Sequence, residues 1–342
     1  MNAVGVALVG AGPWGLTLAG AFARTPGAAL RWICEVDADR RARAAAAHPG
    51  ARITGDLDDV LADPEVAAVA VAVDSARHHP VGMRVLSANR HVYIEKPLAL
   101  TASDAAMLHA AAAERGRILT VGHLLLHHPA VRRARQIVSE GMLGEPLYFE
   151  SVRETVGAAR APGSAWWALA PHDVSLALDL FADVPVTVSA TGGAFGAPGH
   201  DGVASAVLRF AEGRTAHIHV ARFAAERTRR LSIAGSRRTL AFDELAVEHP
   251  LQISERESGV LARVPVDSVE PLLAQCSHFA ACVGRGDATG GNSAHALAVV
   301  RVLEAGTRSM QAGGGPVEVE RVVDGAQSST KAGFGAPRSS QR

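Results

Sequence analysis

The stretch Val4-Gly5-Val6-Ala7-Leu8-Val9-Gly10-Ala11-Gly12-Pro13-Trp14-Gly15 decides the fold. Its first six residues are small and apolar and read as a buried strand. The glycines follow at once, and Leu16, Leu18, Ala19 and Phe22 then recur at helical spacing. Strand, glycine turn and helix together form the context in which G-x-G-x-x-G binds a dinucleotide. The glycines allow the tight turn and the close approach of a pyrophosphate, and the helix N-terminus faces the phosphates. Gly10, Gly12, Pro13, Trp14 and Gly15 are therefore expected around the cofactor.

Working outward, an acid is expected about twenty residues on, at the end of the second strand, to bind the ribose 2′-hydroxyl. Glu35 stands there, after a strand over 30–34. Its carboxylate repels a 2′-phosphate and so favours NAD. Arg40 and Arg41 lie close behind and could instead pair with that phosphate and admit NADP, or form the solvated face of a helix over 39–47. The apolar run 66–73 reads as a strand covered on both faces. Asp74, Ser75 and His79 follow it and line the next part of the crevice; His79 is equally suited to starting a helix over 79–88.

The run His91-Val92-Tyr93-Ile94-Glu95-Lys96-Pro97 is a strand ending abruptly on an acid, a base and a proline. Ligands bind outside the carboxyl ends of strands in an open α/β sheet, so Glu95 and Lys96 belong to the crevice, and Pro97 turns the chain there. A helix over 102–115 and a strand over 118–121 complete the alternation, which implies a parallel, doubly wound sheet. After Gly122 the pattern changes. A helix over 129–140 leads into strands from Tyr148 onward: 148–153, 187–190, 206–210, 215–221, 229–234 and 239–242. One helix, 173–181, lies among them, and helices over 270–283 and 292–311 follow. Runs of strands without intervening helices mean a mostly antiparallel sheet.

The expected fold is thus α/β. A Rossmann domain spans 1–122 and an α/β domain with an open, mostly antiparallel sheet spans 123–323. The segment 324–342, poor in bulky apolar residues, is expected to be disordered. The last helices return to a packing surface, which can include the first domain.

Hydrophobic residues make up 48% of the 342, and 34 basic residues balance 34 acidic ones. Such a chain has ample core and no global field for nucleic acid or an anionic membrane. The uncharged segment 4–23 lacks a basic leader and is interrupted by Gly and Pro, so neither a signal peptide nor a membrane span is expected. Cys34, Cys276 and Cys282 have no metal or redox spacing, which argues for the cytoplasm. His127-His128 are adjacent and have no carboxylate at ligand spacing, so no metal site is expected.

The order of Gly10-Ala11-Gly12-Pro13-Trp14-Gly15, Cys34-Glu35, Glu95-Lys96-Pro97 and Gly122-His123 resembles the Gfo/Idh/MocA oxidoreductases over residues 3–323. The resemblance implies an N-terminal Rossmann domain, a C-terminal domain whose sheet forms the interface of a homo-oligomer, and Lys96 as the active-site lysine. Tyr148-Phe149-Glu150-Ser151-Val152-Arg153, Gly157, Arg160 and Trp167-Ala168-Leu169-Ala170-Pro171-His172-Asp173 are similar to the sugar-nucleotide 3-dehydrogenase branch. In the family's second motif an Asp stands four residues before the active-site His. Here that position is Ala168, and the usual Lys, Asp and His set is incomplete.

Oxidising a secondary alcohol needs a base for the hydroxyl proton as hydride leaves; reducing a ketone needs the same group as acid. His172, with an ordinary pKa near 6.5, suits both. Lys96 then polarises the oxygen, or the two exchange roles. His123 faces the nicotinamide or caps the crossing into the second domain. Arg153 and Arg160 are candidates for a substrate phosphate or carboxylate, with Trp167 and Asp173 beside them. The expected activity is NAD(P)-dependent hydride transfer on a sugar, sugar nucleotide or cyclitol. The alternatives are a cofactor-bound sensor that has lost catalysis through Ala168, or an altered reaction such as imine reduction.

Overall fold

The computed structural model describes residues 3–157, 163–194 and 201–320; Arg160 and the segment 324–342 lie outside them. The first sheet consists of β1 (Val4–Val9), β2 (Ala28–Cys34), β3 (Arg52–Thr54), β4 (Ala68–Val71), β5 (His91–Ile94) and β6 (Leu119–Val121). All are parallel, in the order β3-β2-β1-β4-β5-β6. β1 and β4 are buried along their whole length, as strands covered by helices on both faces must be. The helices are α1 (Pro13–Arg24), α2 (Ala38–Ala47), α3 (Leu57–Ala62), α4 (His78–Ser87) and α5 (Ala102–Glu114). Strand order reverses between β1 and β4, so the turns after these strands flank a crevice at the carboxyl edge. The run 66–73 yields a shorter strand than expected, because Ala72 and Val73 leave the sheet to line that crevice. β3 and α3, only 3 and 6 residues long, gave no recognisable period in the sequence.

After α6 (Pro129–Ser139) come β7 (Pro146–Glu154), α7 (Ala165–Phe181), β8 (Thr187–Ala194), β9 (Asp201–Arg209), β10 (Thr215–Ala221), β11 (Thr228–Gly235), β12 (Arg238–Asp243), β13 (Leu251–Glu255) and β14 (Leu261–Arg263). α8 (Pro271–Arg285), α9 (Ser293–Gln311) and β15 (Val317–Glu318) close the described chain. The second sheet has nine strands in the order β14-β13-β12-β11-β7-β10-β9-β8-β15. β7 and β10 pair in parallel and the other pairs are antiparallel. β13, β14 and β15 were not expected from the sequence.

α7 starts eight residues before the helix expected at 173. The Ser164 hydroxyl accepts the Trp167 N–H and caps the helix, and Pro171 is carried inside it. Ala168 and His172 therefore stand one turn apart on a single helix. Trp166 is fully buried and its indole donates to Leu303 O of α9 at 2.9 Å. Gly306 makes the approach possible, since a Cβ there would stand 2.7 Å from the indole Cζ2.

The last helices tie the halves together. α8 returns to the first sheet, where Phe279 meets Tyr93 of β5 edge-to-face with ring centres 5.8 Å apart, inside a core that includes Leu18 and Phe22 of α1. Asn292, before α9, clamps the end of β6: its Oδ1 accepts Val121 N at 2.6 Å and its Nδ2 donates to Val121 O at 3.1 Å.

Trp166→Ala is expected to lower unfolding free energy by roughly 3–5 kcal/mol, because it removes a large buried side chain that the close-packed α7–α9 contact cannot refill. Urea denaturation measures this, and a loss under about 1 kcal/mol would contradict the packing described.

Candidate active site

The glycine turn after β1 is shaped by contacts that exclude side chains. Gly10 has φ of +96°, and a Cβ there would lie 2.5 Å from Ala72 O; a Cβ on Gly15 would lie 2.0 Å from Gly10 O. Gly12 caps α1, Pro13 fills the first turn, and nothing lies within 4 Å of where a Gly12 Cβ would point. Glu35, 6% exposed, braces this turn: Oε2 accepts Ala11 N at 2.7 Å and Oε1 accepts Asp37 N at 3.0 Å. A cleft of about 450 Å³ opens beside it, with Gly10, Gly12, Pro13, Trp14, Gly15, Glu35, Arg40 and Asp74 in its wall. Asp56, which caps α3, Arg77 of the turn after β4, and Arg84 of α4 also line it and were not anticipated. Arg41 is committed elsewhere, donating to the Glu35 and Val36 carbonyls at 2.8 Å each. Open backbone N–H groups at a helix start, a glycine cradle and a buried carboxylate fit a dinucleotide.

Two expected neighbours, Ser75 and His79, are not among the residues lining that cleft. Ser75 begins a short 3₁₀ turn, Ser75–Arg77. His79 points away from the crevice, its Nδ1 lying 3.5 Å from Asp104 of α5. One residue earlier, His78 is the buried histidine, with Nδ1 2.7 Å from Pro97 O and Nε2 3.0 Å from Val73 O. In a helix, adjacent residues point about 100° apart, so one position decides which ring enters.

Glu95, beyond β5, turns into the protein. Its Oε1 lies 3.1 Å from the Tyr93 hydroxyl, its Oε2 accepts Lys96 N at 3.3 Å, and the Trp14 indole also hydrogen-bonds it. Burial pushes its pKa up. Lys96 goes the other way and its Nζ donates to the main-chain carbonyl of Ala168 at 3.0 Å. Burial lowers the Lys96 pKa; Glu95 opposes that and Arg153 adds to it.

His172 stands one turn beyond Ala168. Its Nδ1 is buried without a partner among the described residues. Its pKa is held well below the ordinary value, first by burial and then by Lys96, Arg153, His123 and Arg229. His123 is 2% exposed with both ring nitrogens unpartnered among the described residues, and its ring lies edge-to-face on His295 at 5.7 Å. Arg153 and Asp173, expected at the substrate, meet each other instead. Arg153 Nε and Nη2 grip Asp173 at 2.8 and 3.2 Å, and Nη1 donates to Glu244 at 2.9 Å. Glu244 also accepts from Arg229 Nη1. Trp167 donates its indole N–H to Thr307 of α9 at 2.9 Å. Among the described residues no cluster of His, Cys, Asp or Glu is arranged to hold a metal ion, and no helix is long and apolar enough to cross a membrane.

A dinucleotide cradle on a parallel sheet, with a buried lysine and histidine beyond it, defines a nicotinamide-dependent oxidoreductase. Comparison with known proteins agrees. Residues 4–123 match the oxidoreductase family described as having an NAD-binding Rossmann fold, and residues 131–241 match the Gfo/Idh/MocA C-terminal domain. UDP-N-acetylglucosamine 3-dehydrogenase of Acidithiobacillus ferrooxidans is 30% identical over 237 residues, 69% of this chain and 72% of that protein. The oxidoreductase YdgJ of Escherichia coli is 30% identical over 49% of this chain, a match spanning only half, 50%, of its own length. Among solved structures, GenD2 from gentamicin A biosynthesis in complex with NAD superposes with a TM-score of 0.80 at 26% identity, over 94% of this chain and 97% of that one. The chain belongs to the Gfo/Idh/MocA oxidoreductase family, and its first domain is an NAD-binding Rossmann domain.

Two outcomes are expected. Glu35→Ala frees two backbone N–H groups of the cradle and should weaken NAD binding by about tenfold or more in a fluorescence titration; an unchanged affinity would show that the brace is dispensable. The second concerns acid. Burial lowers seven histidines, among them His127 to about 3 and His295 to about 4. The unfolded chain takes up these protons near pH 6.5 and the native protein does not. Stability is therefore complete above about 6.5 and falls below it, by up to about 1 kcal/mol per pH unit for each ring. The buried acids Glu95, Asp173 and Asp179, shifted up by burial, act in the opposite sense but are fewer. A urea midpoint that stays constant from about pH 7 to about pH 5 would refute this.

Proposed function

We propose that this enzyme transfers hydride between NAD and a secondary alcohol or ketone carbon of a sugar, sugar nucleotide or cyclitol, with Lys96 and His172 handling the oxygen and its proton. The observation that carries the reading is the Lys96 ammonium held at 3.0 Å on the Ala168 carbonyl, one turn before a histidine whose Nδ1 is buried and unpartnered. The nicotinamide, when bound, accepts or supplies the hydride. Burial keeps His172 neutral at physiological pH, so it can take the hydroxyl proton during oxidation and return it during reduction. Lys96 has donors beyond the one spent on Ala168 and polarises the substrate oxygen. The main-chain carbonyl of residue 168 orients the ammonium, since the side chain there is only a methyl group.

The sugar-type substrate is supported by the dehydrogenase relative from Acidithiobacillus ferrooxidans. Glu35 beside the glycine turn supports NAD over NADP, while Arg40 at the cleft wall is the residue through which NADP could be admitted. We further propose the division at 122/123, a cytoplasmic location supported by three free, buried cysteines, and a homo-oligomer formed through the second sheet.

Turnover across a panel of sugars, sugar nucleotides and cyclitols, followed by nicotinamide absorbance, tests the reading. Lys96→Ala and His172→Ala are each expected to lower kcat by roughly a hundredfold or more, with NAD affinity retained. Ala168→Asp should move the Lys96-dependent limb of the pH profile upward, because a nearby carboxylate favours the ammonium. NAD binding without turnover of any panel member, joined to activity that appears only in Ala168→Asp, would establish a cofactor-bound sensor instead.

A further inference from the structure

Arg229 of β11 lies directly opposite Arg153 of β7 in the antiparallel register, so the two side chains stand on one face of the sheet. They are used differently. Arg153 has all three guanidinium nitrogens engaged, with Nε and Nη2 forming a two-pronged grip on Asp173 and Nη1 on Glu244. Arg229 spends only Nη1, on the other oxygen of Glu244. Its Nε is buried with no partner among the described residues, and the side chain remains 27% exposed. The edge left unpaired among the described residues is the Nε/Nη2 edge, the same one that holds a carboxylate in Arg153. A buried N–H of a charged group is costly to leave unpaired, and this edge has the geometry that grips carboxylate or phosphate.

The surroundings point the same way. Lys96, Arg153, His123 and Arg229 all bear electrostatically on His172, each lowering its pKa. Glu95 is turned toward Tyr93, while Asp173 and Glu244 are consumed by arginines. Residue 168 contributes a methyl group. Lys96, Arg153 and Arg229 thus stand near His172, and the acids Asp173 and Glu244 are already bonded to the two arginines.

We propose that Arg229 anchors the substrate: its Nε/Nη2 edge receives a carboxylate or phosphate borne by the sugar close to the reacting carbon, making the preferred substrate an acidic sugar. This rests on the hydride-transfer reading above. Arg229 touches substrate and not the transferred proton, so it acts on affinity and selectivity more than on the chemical step.

The test is equilibrium binding of D-glucose, D-glucuronate and D-glucose 6-phosphate to the NAD-loaded protein by calorimetry. The wild type is expected to bind at least one anion about tenfold or more tightly than glucose, as a charge-assisted contact provides. Preference for glucuronate identifies a carboxylate site, and preference for glucose 6-phosphate a phosphate site. Arg229→Met should abolish the preference, and Arg229→Lys, which keeps a cation for Glu244 but lacks the fork, should lose most of it. NAD titration of each variant reports that the fold is intact; if Arg229→Met does not fold, Arg229→Lys decides. The inference is overturned if neither anion binds more tightly than glucose, or if the preference persists in the folded variants. Anion binding at Arg229 without turnover of any sugar would defeat the hydride-transfer reading alone. Turnover of neutral sugars without anion preference would defeat this inference alone.

Discussion

The hydrogen bond from the Lys96 ammonium to the Ala168 carbonyl joins the edge of one sheet to a helix lying on the other. It requires two results of folding at once. β5 must end at the carboxyl edge of the parallel sheet, and α7 must start early enough that residue 168 lies on its first turns. A largely buried ammonium without an acceptor would be costly, so the contact also holds the halves in register. A peptide carbonyl meets that need without a charge. Burial therefore lowers the Lys96 pKa with only Glu95, on its far side, in opposition.

Around this contact the charges are sorted by direction. The acids Glu95, Asp173 and Glu244 are drawn into tyrosine, indole and guanidinium partners. Arg229 Nε and ring nitrogens of His123 and His172 are left without partners among the described residues. Buried acid–arginine pairs of this kind are weak sources of net stability. Here the chain from Asp173 through Arg153 and Glu244 to Arg229 fixes the residue following His172 to β7 and β11, so that the imidazole is held by its neighbour's bonds while its own Nδ1 stays free.

Much of the fold was legible because it depends on local rules. The glycine turn, the apolar parallel strands and the switch to strand-rich grammar after Gly122 each follow from residue type and period. β3, α3, β14 and β15 escaped because they are too short to establish one, and β13 also escaped. α7 starts eight residues before the expected 173; the Ser164 cap and the burial of Trp166 against α9 carry the helix through Pro171. That His78 and not His79 is the buried ring was not legible, because the helix phase at its first residues is set by tertiary docking. Arg153 and Asp173 looked available because sequence cannot show that two residues twenty positions apart will pair.

What the sequence determined by itself is the dinucleotide cradle, Lys96 at a strand end, His172 in a motif that lacks its carboxylate, and the family to which these belong. These are properties of short, contiguous segments whose chemistry is written in residue type and spacing. Only the tertiary structure decided what each charged group faces. The partners of Lys96, Arg153 and Arg229 come from residues 72, 20 and 15 positions away. Long-range packing, not local propensity, chooses between a guanidinium that is spent and one that is open.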